Sequence, residues 1–269
     1  MTEAPLSEAA VRAAVVRPGG LWRSVEVVPV TGSTNADLLA QAASGAPEGT
    51  VLAAETQTAG RGRMGRTWLS PPGAALMFSV LLRPTAVPPA RRGWLPLLAG
   101  VAVAAAVRDV AAVDARLKWP NDVLAGPAKL AGILAEAAGD AVVIGIGVNV
   151  SIDPDELPPP GPGALPATSL RLQGSPDPDR DRLLAGILAG LERRYRTWSG
   201  VLGDSERSGL RAEYTGWCAT LGRRVRVELP GGRLLDGLAA GVDADGRLLV
   251  SMPPDADLPV AAGDIVHLR

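Results

Sequence analysis

Residues 60–68, GRGRMGRTW, separate two apolar runs and limit the possible fold more than any other segment. The runs at 50–56 and 74–82 are typical of buried strands. The three glycines between them predict a loop, because glycine allows positive φ and close approach to a bound molecule. The three arginines add planar, permanent positive charge that suits phosphate and carboxylate groups. We therefore predict two strands joined by a loop that folds over a small anion.

The glycine spacing imitates a dinucleotide-binding motif but lacks its context. Gly60, Gly62 and Gly65 fit G-x-G-x-x-G, which requires a helix at the glycines and an acidic residue about 20 positions later. Instead TWLSPP follows at 67–72, and residues 80–83 contain no Asp or Glu. The chain also lacks the Gly-Lys-Ser/Thr of a Walker A loop and the H-R-D loop of a kinase. These nucleotide-binding classes are therefore not favoured.

The composition argues against several other classes. Cys218 is the only cysteine and His267 the only histidine, so neither a disulfide framework nor a Cys/His zinc site is expected. A Ser-His-Asp triad would have to use His267, which has no nucleophile elbow near it. The formal net charge of −1 gives no general attraction to nucleic acid. The positive charge that matters is local, in the glycine-rich loop.

The apolar segment 94–107 predicts a buried helix rather than a membrane span. It is shorter than the ~20 residues that a span requires, and arginines flank it. The N-terminus contains acidic residues and no apolar core after a basic start, so it does not resemble a signal peptide. We therefore expect a cytoplasmic protein without membrane contacts.

Apolar periodicity predicts an α+β chain. Helical patterns occur at 7–16, 94–112, 183–198 and 206–217, and Ser33-Thr34-Asn35 is placed to cap a helix at 36–40. Strands are predicted at 25–30, 50–56, 74–82, 115–119, 129–137 and 141–150. The last two are joined at Gly139-Asp140. A proline-rich loop at 153–166 follows this series.

The pattern changes near residue 220, where short alternating segments begin. Residues 223–229, 233–242 and 247–251 predict strands, with hairpin turns at Pro230-Gly231-Gly232 and Asp245-Gly246. We therefore expect two domains, at 1–220 and 221–269.

Further polar motifs lie at predicted strand ends and helix starts. KWPND at 118–122 combines a cation, an indole, an amide and a carboxylate at a strand end, where α/β sites commonly lie. KLAGILAE at 129–136 begins with a lysine, and GIGVNV at 145–150 is a strand with two glycines, which permit close approach by a ligand. Taken singly, each has an ordinary interpretation as a turn, an exposed lysine or a weak strand. The triplet at 33–35 could likewise be only a helix cap.

In this order, the motifs resemble those of the biotin protein ligases, also called biotin–acetyl-CoA-carboxylase ligases. The resemblance rests on the triplet at 33–35, on Gln57 with GRGRMGRTW, and on the three strand motifs, and it extends over residues 25–170. It implies a mixed-sheet catalytic domain of the biotin/lipoate ligase type followed by a small SH3-like β-barrel domain. It also implies an ATP-dependent enzyme that forms biotinyl-5′-AMP and then transfers biotin to a lysine of a biotin carboxyl carrier domain of an acyl-CoA carboxylase. Mg²⁺ is the implied cofactor, with biotin and ATP as substrates.

The resemblance implies roles for individual residues. The implied catalytic residues are Lys129, Arg63, Arg66 and Asp122. The implied biotin-binding residues are Ser33, Thr34, Asn35, Gln57, Gly60, Arg61, Arg63, Lys129, Gly132 and Gly147. The implied ATP- and adenylate-binding residues are Arg61, Arg63, Arg66, Trp68, Asn121, Lys129 and Asn149. No metal-binding side chain is implied, and Met64 departs from relatives that carry a basic residue or histidine at its position.

Two alternatives stay open at this point. A lipoate or octanoate ligase would have a related fold, although the polar triplet at 33–35 favours an acid that bears a urea group. A nucleic-acid-binding module would use the Arg-Gly loop, although the net charge argues against it. About one helix precedes the first strand, so no helix-turn-helix domain is expected. We also predict that loops 60–66 and 153–166 are disordered without ligand.

Overall fold

The computed structural model describes residues 4–160, 165–229, 232–252, 256–261 and 263–268, which form two β-sheets and five α-helices in those ranges. The strands of the first sheet are β1 (Ser24–Thr31), β2 (Thr50–Gln57), β3 (Ala75–Leu82), β4 (Ala115–Lys118), β5 (Asp122–Ala125), β6 (Ala128–Ala138) and β7 (Ala141–Asn149). The helices are α1 (Glu8–Val15), α2 (Thr34–Ala43), α3 (Trp94–Ala111), α4 (Arg180–Gly200) and α5 (Leu210–Trp217).

The first sheet is mixed, as predicted. Its strand order is β1-β2-β3-β7-β6-β5-β4, and only β1 and β2 pair in parallel. Helix α2 connects these two strands, which is the crossover that a parallel pair requires. The glycine-rich loop connects β2 to its antiparallel neighbour β3. Both strands that flank this loop are therefore confirmed, and the loop is fixed to the sheet at both ends.

Helix α3 is the centre of the core. Thirteen of its residues are buried: Trp94, Leu95, Leu97, Leu98, Ala99, Gly100, Val101, Ala102, Val103, Ala104, Ala106, Val107 and Ala111. By length and composition alone the helical segment 89–111 could cross a membrane. Its apolar surface is instead covered by α4 and by the sheet, so the predicted buried helix is confirmed.

The second sheet forms a small antiparallel module with the order β11-β10-β9-β8-β12. Its strands are β8 (Arg224–Glu228), β9 (Leu234–Val242), β10 (Leu248–Ser251), β11 (Leu258–Val260) and β12 (Asp264–His267). The predicted turn at Asp245-Gly246 is present, with Gly246 at φ +84°. Of the other predicted turn, Pro230 and Gly231 lie outside the described residues.

Two buried indoles, one at the start of α3 and one in the turn after β4, join the module to the rest of the protein. Trp94 Nε1 donates a hydrogen bond to the Ala244 carbonyl at 2.9 Å, and Trp119 Nε1 donates to the Gly246 carbonyl at 3.0 Å. Both acceptors belong to the turn between β9 and β10. Because a buried indole N–H without a partner is costly, these contacts fix the position of the module.

Some predicted elements were wrong or missing. The helix predicted at 206–217 begins only at Leu210, because the Asp204 carboxylate accepts hydrogen bonds from the backbone N–H groups of Glu206 and Arg207, and Gly209 has φ +75°. Strand β5 was missed because its four residues directly follow a turn signature. Strands β11 and β12 were also missed.

Shortening a buried side chain of the core helix α3 should destabilise the whole protein. Leu98 has no exposed surface, so Leu98→Ala should lower the free energy of unfolding by about 2–5 kcal/mol through lost burial and a cavity. Leu172→Ala is the matched control, because Leu172 is 40% exposed, and it should cost less than about 1 kcal/mol. Urea denaturation measures both, and equal losses would contradict a core centred on α3.

Candidate active site

A cavity lies over β6 and β7 and reaches the C-terminal module. Of the fifteen predicted site residues, thirteen line it. They are Ser33, Thr34, Asn35, Gln57, Arg61, Arg63, Arg66, Trp68, Asn121, Asp122, Lys129, Gly132 and Gly147. The fold thus brings together residues that are more than one hundred positions apart in the sequence.

Gly60 and Asn149 do not line the cavity. The Asn149 side-chain amide is buried and donates to the Thr168 carbonyl at 2.9 Å. A Cβ on Gly60 would lie 2.3 Å from the Trp68 carbonyl oxygen, so glycine is needed there for the two arms of the loop to meet. In this structure, both residues therefore hold the cavity walls in place and do not form part of the cavity surface.

Three neighbouring strands, β4, β5 and β6, build a charged cluster at one end of the cavity. The antiparallel register places Lys118 of β4 opposite Asp122 of β5. Asp122 lies 2.6 Å from Lys129 Nζ and 3.8 Å from Lys118 Nζ. Lys118 belonged to a recognised motif but was not among the predicted site residues. The turn at residues 119–121 reverses the chain so that the Asp122 carboxylate faces both lysines.

The cluster is partly removed from solvent, and this changes the proton affinity of its members. Burial lowers the pKa of Lys118, and the nearby cations Lys129, Arg66 and Arg63 lower it further, although Asp122 opposes them. Burial also lowers the pKa of Arg63, against the attraction of Asp122. The cavity is lined by five cations, Arg61, Arg63, Arg66, Lys118 and Lys129, and by three carboxylates, Asp122, Glu228 and Asp264. Their net positive charge suits an anionic ligand.

At the opposite end of the cavity, the lining side chains from α2 and β2 are polar and uncharged. At the start of α2, the Ser33 hydroxyl caps the helix by accepting from the Ala36 N–H, as predicted. Gln57 Oε1 accepts from the Thr34 backbone N–H at 2.8 Å and lies 3.1 Å from the Thr34 hydroxyl. Asn35 Nδ2 donates to a Glu136 carboxylate oxygen at 2.8 Å. The helix cap therefore also presents amide and hydroxyl groups to the cavity.

The Trp68 indole lies between the two ends, against the glycines of β6 and β7. A Cβ would lie 2.9 Å from the ring at Gly132 and 2.5 Å from it at Gly147. Lys129 Nζ is 5.6 Å from the ring centroid. Trp68 Nε1 is buried and has no hydrogen-bond partner within the described ranges. The close approach predicted from the glycines is thus made by a side chain.

The loop arginines contact the C-terminal module. Arg63 donates to Asn121 Oδ1 at 3.1 Å and to the Gly263 carbonyl at 3.4 Å, and Arg66 forms an ion pair with Asp264. Arg61 lies 3.5 Å from Glu136. By contrast, the Met64 side chain is 61% exposed. The contribution of residues 263 and 264 was missed, because no motif in the sequence marks it.

Comparisons with known proteins identify the family. The model of the biotin/lipoate A/B protein ligase family matches residues 27–153, and that of the biotin protein ligase C-terminal domain matches residues 220–268. The biotin–acetyl-CoA-carboxylase ligase of Mycobacterium tuberculosis is 46% identical over 269 aligned residues, which cover 98% of this chain and 97% of that protein. The chain belongs to the biotin protein ligase family.

Solved structures of biotin protein ligases agree in fold. The enzyme from Aquifex aeolicus in complex with biotin and ATP superposes with a TM-score of 0.75 at 26% identity, covering 92% of this chain and 100% of that one. The enzyme from Leishmania major in complex with biotinyl-5-AMP gives 0.60 at 25% identity, covering 91% and 98%. The predicted fold class, a mixed-sheet ligase domain followed by an SH3-like module, is confirmed.

The single histidine lies behind the charged cluster of this ligase. His267 Nε2 is 3.1 Å from the Thr220 hydroxyl, which accepts from the Trp119 backbone N–H at 3.1 Å. Burial lowers the pKa of His267 to about 4, and the positive charges of Lys118 and Arg223 contribute. The imidazole is therefore neutral near pH 7, and it adds no charge beside the lysines.

The titration of His267 can be followed without interference from other histidines. NMR should give a pKa near 4, and Arg223→Gln should raise it. Because the pKa in the folded state lies below that in the unfolded state, the unfolded chain binds more protons between pH 6.5 and pH 4. The contribution of the neutral His267 ring to the free energy of unfolding is thus fully present above about pH 6.5, and it is lost as the pH falls towards 4. A pKa near 6.5 in the folded protein would contradict this packing.

Proposed function

We propose that this chain is an ATP-dependent ligase that activates biotin as biotinyl-5′-AMP and transfers it to a lysine of a biotin carboxyl carrier domain. The main supporting observation is one cavity that joins an uncharged polar end, at Thr34 and Gln57, to a cationic end at Lys129. An acid with a polar, neutral ring and a carboxylate tail matches both ends. The carrier of an acyl-CoA carboxylase is the expected acceptor, in agreement with the name of the mycobacterial relative.

The first half-reaction forces two anions together. A carboxylate oxygen of biotin bonds to the α-phosphorus of ATP, while the bond from that phosphorus to the bridging oxygen breaks and pyrophosphate leaves. Fixed cations lower the barrier because they already face the position where negative charge concentrates. Lys129 and Arg63 have this role in our proposal, and Arg66 assists from the side of the C-terminal module. Trp68 provides an apolar wall against the glycines of β6 and β7.

The second half-reaction needs a neutral amine. The ammonium group of the carrier lysine must lose a proton before its nitrogen attacks the acyl carbon of the adenylate and displaces AMP. Asp122 is the carboxylate nearest to Lys129, and it lies at the same end of the cavity. We propose that it orients the incoming lysine and accepts its proton.

Mg²⁺ would be held mainly by the nucleotide. In the described part of the chain, no three His, Cys, Asp or Glu side chains are grouped so that they could hold a metal ion. Asp122 is already paired with two lysines. Because the described residues provide no group of protein ligands, they fit an ion that arrives with the phosphates of ATP and keeps several waters. Its chemical contribution is to neutralise the polyphosphate.

Loop closure over the adenylate also stays a prediction. The loop contains a turn at Arg63–Gly65 in which Met64 has φ +55°. Of the second predicted lid, 153–166, residues 161–164 lie outside the described residues. Closure would exclude water from a mixed anhydride that water hydrolyses. We further propose a domain boundary near residue 220, a cytoplasmic location, and no binding to nucleic acid or membranes.

Biotin-dependent exchange of ³²P-pyrophosphate into ATP tests the adenylation directly. Purified protein with Mg²⁺ should catalyse exchange with biotin and not with lipoate, because lipoate has no ureido group for the polar end of the cavity. Removal of Mg²⁺ should abolish the exchange. Exchange with lipoate alone would assign the chain to lipoate activation, and exchange with neither acid would refute the proposal.

Removing the Arg63 side chain should let the adenylate escape. Arg63→Gly loses the contacts to Asn121 and Gly263 that hold the loop. Loss of such charge-assisted hydrogen bonds predicts release of biotinyl-5′-AMP at least about tenfold faster, seen as labelling of bystander lysines. Met64→Ala, at an exposed loop position, is the control. Release as slow as in the wild type would contradict a closing role for Arg63.

Neutralising Asp122 should impair transfer. With preformed biotinyl-5′-AMP, Asp122→Asn should slow biotinylation of the carrier by about 10²–10⁴-fold, the usual contribution of a positioned base. Asp236→Asn removes an exposed carboxylate of the module that pairs with Arg226, and it should have no effect. Undiminished transfer in Asp122→Asn would exclude Asp122 as the base.

A further inference from the structure

Ser79 is a buried residue that none of the sequence motifs includes. It lies on β3 with no exposed surface, and its hydroxyl is 2.6 Å from Asn35 Oδ1 and 2.7 Å from the Thr34 hydroxyl. Its partner across the sheet is Gly145. A Cβ on Gly145 would lie 2.3 Å from Asn35 Oδ1, so this glycine provides the space in which Asn35 reaches Ser79.

The direction of the hydrogen bond between Ser79 and Asn35 is fixed by the surroundings. Asn35 Nδ2 donates to the Leu134 carbonyl at 3.2 Å and to a Glu136 carboxylate oxygen at 2.8 Å, and both of these groups only accept. The amide oxygen of Asn35 must therefore face Ser79. Because an amide oxygen cannot donate, Ser79 must give its single proton to Asn35.

This assignment determines the polarity of Thr34. With its proton committed to Asn35, Ser79 can only accept from the Thr34 hydroxyl. The one proton of Thr34 goes either to Ser79 or to Gln57 Oε1, which is 3.1 Å away, and both acceptors belong to the protein. In either case the Thr34 oxygen is left as an acceptor for a ligand N–H group.

Gln57 has the complementary polarity. Its Oε1 accepts from the Thr34 backbone N–H, which turns Nε2 away from Thr34. Among the described residues, Nε2 has only the Met77 sulfur at 3.4 Å as a partner, and a thioether is a weak acceptor. Gln57 can therefore donate to a ligand oxygen. An acceptor next to a donor matches a cyclic urea, in which an N–H group adjoins a carbonyl.

We propose that Ser79 is a positioning residue that makes this ligase specific for a ureido ring by fixing the hydrogen-bond polarity of Thr34 and Asn35. The inference rests on the proposed function and extends it to a residue outside the cavity lining. Without the Ser79 hydroxyl, Asn35 Oδ1 is buried without its donor, and the Thr34 hydroxyl loses one of its two acceptors. The loss should therefore affect recognition of the ring and leave the nucleotide site intact.

Binding calorimetry with the full-length protein tests this role in the absence of chemistry. Ser79→Ala should raise the Kd for biotin by about tenfold, as expected when a buried acceptor loses its partner, and change the Kd for ATP less than twofold. Desthiobiotin keeps the urea and lacks the sulfur ring, so its Kd should rise by the same factor. Ser205→Ala removes another buried serine hydroxyl, outside the cavity, and should leave both affinities unchanged.

A double-mutant cycle shows whether Ser79 acts through Thr34. Thr34→Val alone should weaken biotin binding, and adding Ser79→Ala should then cost less than about threefold, because coupled residues are not additive. If Ser79→Ala does not fold, Ser79→Cys keeps the volume with a weaker donor and should show the same selective loss.

Several results would overturn the proposal. They are unchanged biotin affinity in the variant, equal losses for biotin and ATP, a loss for biotin without one for desthiobiotin, and full additivity with Thr34→Val. A wild-type protein that neither binds biotin nor supports pyrophosphate exchange would instead refute the proposed function itself. The two failures are therefore distinguishable.

Discussion

The contact between Asp122 and two lysines is the constraint on which the cavity depends. Two ammonium groups next to each other in a half-buried space repel, and burial lowers the pKa of Lys118. A carboxylate between them offsets this repulsion and pairs with Lys129 at 2.6 Å. The antiparallel hairpin of β4 and β5, with its turn at residues 119–121, provides this geometry from nearby positions in the chain. Everything else in the cavity is arranged around that local cluster.

The rest of the cavity is assembled over long distances. The start of α2 supplies the uncharged end, the loop between β2 and β3 supplies arginines and an indole, and the C-terminal module supplies the last wall. Each contributor is attached to a rigid strand or helix end. Such attachment limits the motion of the site to the loop, where glycines allow it.

Sequence reasoning succeeded where local patterns decide the structure. The apolar helix α3, the strands around the glycine-rich loop, and the cap at Ser33 all follow from periodicity or from capping chemistry. The family resemblance then supplied thirteen of the residues that line the cavity. Strand β5 was missed because it directly follows a turn signature and has only four residues, which are too few to show the alternation of a strand.

The missed features depend on partners that the sequence does not reveal. Asn149 follows two glycines in a strand, but its side-chain amide donates a hydrogen bond to the Thr168 carbonyl on the other side of a loop. Asp264 becomes part of the cavity only because the module packs against Trp119. Ser79 is an unremarkable residue in an apolar strand until α2 places two hydrogen-bonding side chains against it.

The way in which the module holds Trp119 limits how this enzyme can be recombined with its relatives. The indole of Trp119 donates to the Gly246 carbonyl, and its backbone N–H donates to Thr220. The turn at residues 119–121 is therefore followed directly by the Asp122 carboxylate, and Trp119 in the same turn makes the contacts that join the module to the first sheet. We therefore expect that the C-terminal module cannot simply be replaced by the module of a relative. A replacement that docks even slightly differently would shift Asp122 and the two lysines.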